Sequence, residues 1–175
     1  MSAVTLHAIT VLGHDRPGII AGTTGRIADL GLNLEDSTMT LLRGHFAMTL
    51  VCAGDAGAEE IERALAPLAA DGTLTVTVRE VPDEQAPAPV GTPWVLTVHG
   101  GDRPGIVSAV IGEIAGVGGN VTDLTTRLTG DLYLLIAELE LPAEVDADAL
   151  EGTLRAVAEQ LGVGVTLRPA ESDEL

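Results

Sequence analysis

The amino-acid sequence predicts an α+β protein made of two ferredoxin-like βαββαβ units, each an antiparallel sheet with its helices on one face. Three observations lead to this prediction. The tetrapeptide DRPG occurs twice, at residues 15–18 and 102–105. Each copy follows a segment with strand-like alternation and precedes residues with helical spacing. The Pro-rich stretch at 81–93 lies between the copies and is typical of a spacer.

The two halves of the chain are related by a nearly constant offset. Asp15 and Asp102 are 87 residues apart. The same offset relates Ile20 to Val107, Ile27 to Ile114, Asn33 to Asn120 and Phe46 to Tyr133. The offset becomes 89 residues between Val76 and Val165, which predicts a two-residue insertion near the exit of the third strand of the second unit.

The first strand and helix of unit 1 flank the DRPG turn. Residues 3–12 alternate, with Ile9 and Val11 on one face, as in a half-buried strand. Pro17 opens a helical segment, because proline suits the first turn of a helix, and Gly31 closes it.

The other elements of unit 1 follow from the same patterns. Residues 33–42 are rich in Thr, Met and Leu and predict a strand, and residues 43–45 predict a tight hairpin into a strand that reaches Ala53. Residues 59–70 form an amphipathic helical pattern, and residues 73–81 alternate as a final strand.

Unit 2 repeats this order. Its predicted strands lie near 94–100, 120–129, 132–141 and 163–168, and its predicted helices lie near 104–117 and 146–161. The resulting domain prediction is unit 1 at 1–81, a linker at 82–92, unit 2 at 93–170 and an acidic tail at 171–175.

Composition excludes several functions. The formal net charge is −17, which repels a nucleic-acid backbone, so no direct nucleic-acid binding is expected. All nine basic residues are arginines, which excludes Schiff-base chemistry and a P-loop lysine. The single cysteine, Cys52, allows no intrachain disulfide and lies in an apolar run as a small buried hydrophobe. We expect no cofactor.

The sequence also predicts a cytoplasmic protein without a membrane association. The N-terminal residues lack a signal-peptide pattern, and no apolar run approaches the length of a membrane span. The histidines show no spacing typical of a metal site, and His7 and His45 in particular lack ligand-spaced partners, so no metal is expected.

The first DRPG turn is a candidate site for a zwitterion. A helix N-terminus carries backbone N–H groups without intrahelical partners, which attract a carboxylate. Gly13 and Gly18 would let the backbone approach a ligand, and Asp15 would bind an ammonium group. Asn33 begins the second strand, which we expect to start at the same end of the sheet as the turn, and its amide both donates and accepts.

The second turn supplies the same residue types. Its candidates are Gly100, Asp102, Gly105 and Asn120. His14 lies in the first loop, where it would contact either the ligand or water, and is kept as a ligand candidate. A small amino acid would then bind where the two units meet.

Other interpretations of these residues remain open. Asp15 followed by Pro17 also fits ordinary helix capping without a ligand. A module of this kind would be a dimerisation or scaffold protein. An enzyme, such as a small acyl-phosphate hydrolase, would need to recruit Arg16 and Arg103, which we expect to be solvated.

The segments ITVLGHDRPGIIAGTTGRIADLGLNLEDSTMT and LTVHGGDRPGIVSAVIGEIAGVGGNVTDLTTR resemble ACT domains. The spacing from DRPG to the Gly-x-Asn before the second strand carries this resemblance, which covers both repeats. It implies ferredoxin-like regulatory modules that bind amino acids at interfaces between two units. Its ligand positions match Gly13, Asp15, Gly18 and Asn33, with their counterparts in unit 2.

The whole chain resembles standalone tandem-ACT regulators, which lack a DNA-binding domain and act through another protein. This implies a non-catalytic regulator of amino-acid metabolism or of its transcriptional control. A glycine- or serine-class ligand, a regulatory protein partner and a homodimer are expected on the same grounds.

Overall fold

The computed structural model describes residues 4–83 and 91–171. They divide into two compact units, one on each side of residues 84–90. Most of the predicted linker and residues 172–175 of the predicted tail lie outside the described residues. Within the described ranges, no helix is long and apolar enough to cross a membrane.

Both units follow the predicted βαββαβ order. Unit 1 consists of β1 (Thr5–His14), α1 (Ile19–Asp29), β2 (Asn33–Leu42), β3 (His45–Gly54), α2 (Ala58–Leu65), a short 3-10 helix (Ala66–Ala69) and β4 (Leu74–Val81). Unit 2 consists of β5 (Gly91–Gly101), α3 (Ile106–Gly116), β6 (Asn120–Thr129), β7 (Leu132–Pro142), α4 (Ala147–Leu161) and β8 (Val163–Pro169).

Each unit has one four-stranded antiparallel sheet. The strand order is β2-β3-β1-β4 in unit 1 and β6-β7-β5-β8 in unit 2. The hairpin between β2 and β3 is the predicted one, since Arg43 and Gly44 both have positive φ, of 52° and 84°, and Leu42 pairs with His45. The predicted α+β, ferredoxin-like class is therefore confirmed for both units.

Each unit has its own core between the sheet and its helices. In unit 1, Ile9 and Val11 of β1 are buried together with Ile61 and Leu65 of α2. In unit 2 the corresponding layer is formed by aliphatic side chains of β5, β7, α3 and α4. One face of each sheet thus packs on the helices of its unit, and we call the opposite face the outer face.

Several element boundaries differ from the predicted ones, and three of them have a clear physical cause. The helix α1 begins at Ile19 and not at Pro17, because Gly18 takes a left-handed conformation with φ of 89°. The helix α2 ends at Leu65, because Pro67 has no N–H to continue it. The strand β5 begins at Gly91, since β7 extends to Pro142 and pairs with it there.

Candidate functional site

The DRPG turn of unit 1 borders an open depression of about 470 Å³. Asp15 and Gly18 lie on one side of it, next to the first residues of α1. Phe46 of β3 and Met39 of β2 complete the lining from the sheet. Phe46 is buried and Met39 is 41% exposed, so the depression presents a largely apolar wall beside the polar turn.

Unit 2 has an equivalent depression of about 360 Å³ at its own turn. Asp102 and Gly105 line it from the turn, and Tyr133 stands where unit 1 has Phe46. Ser108, on the first turn of α3, replaces Ala21. The second depression therefore offers two side-chain hydroxyl groups that the first lacks.

The helices at both turns begin without a side-chain cap. Gly18 and Gly105 are the N-cap residues, and in neither case does a side chain bond to the first-turn N–H groups. In α4, by contrast, the Asp146 carboxylate accepts hydrogen bonds from Asp148 N and Ala149 N, both at 3.1 Å. The two turn helices thus keep backbone donors available, with the positive end of the helix dipole behind them.

The start of α1 rules out the interpretation of the turn as ordinary helix capping by Asp15. Asp15 does not cap α1, because the N-cap is Gly18 and helical hydrogen bonding begins with Gly22 N to Gly18 O at 2.8 Å. Asp15 is exposed and has no hydrogen-bond or ion-pair partner among the described residues. Its carboxylate is therefore free to meet a cation.

Arg16 is not the solvated side chain that the sequence suggested. Its guanidinium donates to the Asp71 carboxylate at 3.1 Å, to the Thr73 hydroxyl at 2.6 Å and to the Leu68 carbonyl oxygen at 2.7 Å. Arg103 lies against Gly162 at the end of α4, where an added Cβ would be 3.2 Å from Nη2. Because Arg16 is engaged elsewhere in the fold, it does not neutralise Asp15.

The packing of neighbouring strands explains why position 13 is a glycine. A Cβ at Gly13 would collide with the carbonyl oxygen of Thr73, and its φ is 152°. Gly100 is equivalent, with φ of 153° and Val163 against it. These glycines let β1 and β5 approach β4 and β8, and neither lines the depression in its unit.

The expectation that Asn33 starts its strand at the turn's end of the sheet is wrong. Gly13 pairs with Phe46, whereas Asn33 pairs with Ala53, seven residues further along β3. At about 3.3 Å per residue this is a separation of roughly 23 Å along the strand. Asn120 pairs with Glu140 at the corresponding end of unit 2. Within one unit, the asparagine and the turn cannot bind one small ligand.

His14 is the last residue of β1 and not part of the loop, and it also lies away from the depression. Side chains of β1 alternate between the faces, and Val11 points to the core while His14 belongs to the outer face. Of the nine candidates, Asp15, Gly18, Asp102 and Gly105 line depressions, and Gly13, His14, Asn33, Gly100 and Asn120 do not.

Some lining residues were not predicted as site residues. Met39 and Phe46 reach the turn from the sheet, and Tyr133 does so in unit 2. The sequence held one signal for them, since Phe46 and Tyr133 are aromatic residues matched by the repeat offset. Nothing in the local pattern indicated that β3 and β7 begin beside the turns.

The histidine at position 7 is a buried polar residue of unit 1. His7 is fully buried, and both of its ring nitrogens lack hydrogen-bond partners in the structure. It pairs with Cys52, which is also fully buried, as predicted. Burial, and to a lesser extent the charge of Glu35, raises the pKa of the Cys52 thiol, which is typical of an inert cysteine.

Comparison with known proteins identifies the fold family. The ACT domain family model matches the chain twice, at residues 6–79 and 92–168. The "UPF0237 protein" of Streptococcus pneumoniae serotype 4 is 49% identical over 47 residues, 27% of this chain and 53% of that protein. The chain thus spans about half the length of this relative.

Two further relatives match over most of the chain. The "Glycine cleavage system transcriptional repressor" of Escherichia coli is 26% identical over 160 residues, 87% of this chain and 84% of that protein. The crystal structure of an unknown protein from Galdieria sulphuraria superposes with a TM-score of 0.79 and 26% identity, covering 97% of this chain and 100% of that one. With two matched units that both have the βαββαβ order, this chain belongs to the ACT domain family, as a tandem of two ACT domains.

Proposed function

We propose that this protein is a non-catalytic regulator that binds a small amino acid at its DRPG turns and passes the binding event to a partner protein. The observation that carries the proposal is the pair of uncapped helix starts, each next to an unpaired aspartate and an open depression. The named relative that spans most of the chain, a transcriptional repressor, supports a regulatory role.

The ligand carboxylate would bind to the start of α1. The N–H groups of Ile19, Ile20 and Ala21 precede the first helical hydrogen bond, and all three residues line the depression. A carboxylate there accepts the donors that no side chain caps, and it lies at the positive end of the helix dipole. The first turn of α3 offers the same donors.

The ligand ammonium would bind to Asp15, and in unit 2 to Asp102. Both carboxylates are exposed at the rim of their depressions. Because Arg16 is held by Asp71, Thr73 and Leu68, the negative charge of Asp15 is left for the ligand. A zwitterion thus satisfies both ends of the turn, whereas a simple anion would face the aspartate unfavourably.

The ligand side chain would face the sheet. We infer a glycine- or serine-class amino acid, as the resemblance to tandem-ACT regulators implies. Ser108 and Tyr133 suit a hydroxyl in unit 2, whereas Phe46 and Met39 suit an apolar group in unit 1. One methylene changes the binding free energy by only about 1–3 kcal/mol, so each turn would prefer one small amino acid over another without excluding the other.

A second ACT unit would complete each site. The strand β2 is a sheet edge, and its Leu34, Met39 and Leu41 are 40%, 41% and 46% exposed. An exposed apolar edge of this kind is suited to strand pairing. Antiparallel pairing with the same edge of a second copy would bring the partner's strand start, with its asparagine, toward the end of β2 beside the turn. Asn33 and Asn120 remain in the proposal in this role, within a homodimer.

The regulatory step requires that the ligand prefer one arrangement of the units. A differential affinity of about 1–3 kcal/mol is sufficient for such coupling. The acidic surface, with a formal net charge of −17, suits a basic face on the regulated protein partner. A cytoplasmic location belongs to the same proposal.

The test is a calorimetric and thermal-shift screen of the full-length protein against the twenty amino acids at millimolar concentration. At a concentration of 100 times the Kd, ligand binding stabilises the folded state by about 2.7 kcal/mol. We expect Asp15→Ala and Asp102→Ala each to abolish binding at one turn, whereas Asp83→Ala, an exposed aspartate after β4, leaves both sites intact. Asn33→Ala should weaken ligand binding if a second unit completes the site, and it should leave binding unchanged if the site is confined to one unit.

The alternative is a dimerisation or scaffold module without a ligand, which the exposed β2 edge also supports. In that case no amino acid shifts the unfolding temperature of the parent protein, whereas the regulator is stabilised by its ligand and loses that stabilisation in Asp15→Ala. Analytical ultracentrifugation with and without amino acid adds a second measurement, since only the regulator changes its assembly or shape when the ligand is added.

A further inference from the structure

We propose that His14 and His45 form a two-histidine binding site for a late first-row divalent metal ion, of the Ni²⁺, Cu²⁺ and Zn²⁺ group. The two residues are a register pair, at the last position where β1 and β3 pair. They are 31 residues apart in sequence, and only the pairing of the strands brings them together.

The backbone places the two side chains close together. His14 donates its N–H to the carbonyl oxygen of Thr73 at 2.9 Å, on the β4 side. Its backbone groups therefore point away from β3, which makes His14 and His45 a non-hydrogen-bonded pair. In such pairs the Cα atoms are about 4.5 Å apart and the side chains lie on one face.

Both imidazoles are available. His14 and His45 are exposed on the outer face, and neither ring has a hydrogen-bond or ion-pair partner among the described residues. The neighbour of His45 on the other side is Leu42, which offers no ligand atom. Two imidazole nitrogens and water molecules then make up the coordination sphere.

The donor type selects the metal. Neutral imidazole suits Ni²⁺, Cu²⁺ and Zn²⁺, whereas Mg²⁺ and Ca²⁺ prefer oxygen ligands. No group of three or more His, Cys, Asp or Glu side chains in the described ranges could hold a metal, so the site is an open chelate and not a closed structural centre. The net charge of −17 raises the local concentration of cations around it.

This site is separate from the proposed amino-acid site. The depression in unit 1 is lined by Phe46 and by the turn on the helix side of the sheet, and His14 lies on the opposite face. Unit 2 has Gly101 and Leu132 at the equivalent register pair and therefore lacks the chelate. We expect one metal ion per chain, bound by unit 1.

The experiment is a titration of the full-length protein with Ni²⁺ in excess Mg²⁺, which occupies the carboxylate-rich surface. Losing a group that merely orients a metal ligand costs about 10–100-fold in affinity, so we expect His14→Ala or His45→Ala to weaken Ni²⁺ binding by at least about tenfold. His99→Ala, a third exposed histidine on the outer face of unit 2, should leave the affinity unchanged. Electron paramagnetic resonance with Cu²⁺ should show coupling to two imidazole nitrogens, and to one in either variant.

A variant that gains a second metal site tests the proposal without relying on a loss of binding that misfolding could also cause. A Cβ added at Gly101 meets no atom within 4 Å, so Gly101→His combined with Leu132→His should raise the stoichiometry from one ion to two. Unchanged Ni²⁺ affinity in His45→Ala, an equal loss in His99→Ala, or complete competition by Mg²⁺ would overturn the proposal.

Discussion

The guanidinium of Arg16 donates a 2.7 Å hydrogen bond to the carbonyl oxygen of Leu68, which is 52 residues away in sequence. The same side chain reaches Asp71 and Thr73, so the β1–α1 turn is fastened to the segment between α2 and β4. The turn that carries the candidate site is therefore held by the far end of its own unit.

We expect Arg16→Met to lower the free energy of unfolding of unit 1 by about 1–3 kcal/mol, because the carbonyl oxygen of the buried Leu68 loses its partner. Urea unfolding measures the change. Arg155→Met is the matched control, since Arg155 is exposed and pairs only with Glu151 in the same helix. The control should change stability by no more than about 0.5 kcal/mol. Equal effects of the two substitutions would contradict a structural role for Arg16.

The stability of unit 1 should depend on the ionisation of Asp71. Hydrogen bonds from the Thr73 backbone N–H and hydroxyl, followed by the charge of Arg16, hold the pKa of Asp71 below its ordinary value. A group with a lowered pKa contributes stability that is present when the pH is above its ordinary pKa, about 3.9 for aspartate, and that is lost as the pH falls through the folded-state pKa. Asp71→Asn should thus unfold more easily than the parent at neutral pH, and the gap between their melting temperatures should close in acid. A gap that stays constant from neutral to acid pH would be inconsistent with this cause.

Two glycines of unit 1 should respond oppositely to alanine. Gly13→Ala puts a methyl group onto the Thr73 carbonyl at positive φ, so we expect a loss of about 1–3 kcal/mol or more. Gly25 lies in the exposed interior of α1 with no atom within 4 Å of an added Cβ, so Gly25→Ala should stabilise by about 0.5–1 kcal/mol. Chemical denaturation of both variants checks the difference, and a tolerated Gly13→Ala would show that β1 and β4 can separate there.

His7→Leu should stabilise unit 1. The imidazole is fully buried with both nitrogens unpartnered, and a buried unsatisfied polar atom costs about 1–3 kcal/mol. Leucine fills similar space without a polar atom, and the equivalent position in unit 2 is the largely apolar Trp94. The change is measured by thermal and urea unfolding. Destabilisation would mean instead that an internal water molecule bonds to the ring in solution.

Much of the fold could be predicted from sequence because its signals are local. The alternation around Ile9 and Val11 identified β1, and the repeat offset carried each assignment from unit 1 to unit 2. The starts of β2 and β6 fell on Asn33 and Asn120, as predicted. The errors were at element ends, and at the start of α1 the left-handed Gly18, and not Asp15 or Pro17, decides the first helical residue.

The candidate site was predicted only in part. The turn residues Asp15 and Gly18 were identified because a strand–turn–helix sequence always leaves unpaired N–H groups at the turn. Asn33 was assigned to the wrong end of the sheet, since α1 runs back along the sheet before β2 begins. Met39 and Phe46 were missed as lining residues because their place depends on how far β2 and β3 extend.

The sequence by itself determined that this chain forms two βαββαβ units with a helix start after each DRPG turn, because residue periodicity and repeat spacing are properties of neighbouring residues. Only the tertiary structure decided which residues meet. Strand direction separates Asn33 from Gly13, strand register brings His14 to His45, and the folding back of α2 brings Leu68 to Arg16. Contacts of this kind join segments that are distant in sequence, and they are fixed by the direction and register of the strands rather than by any local preference.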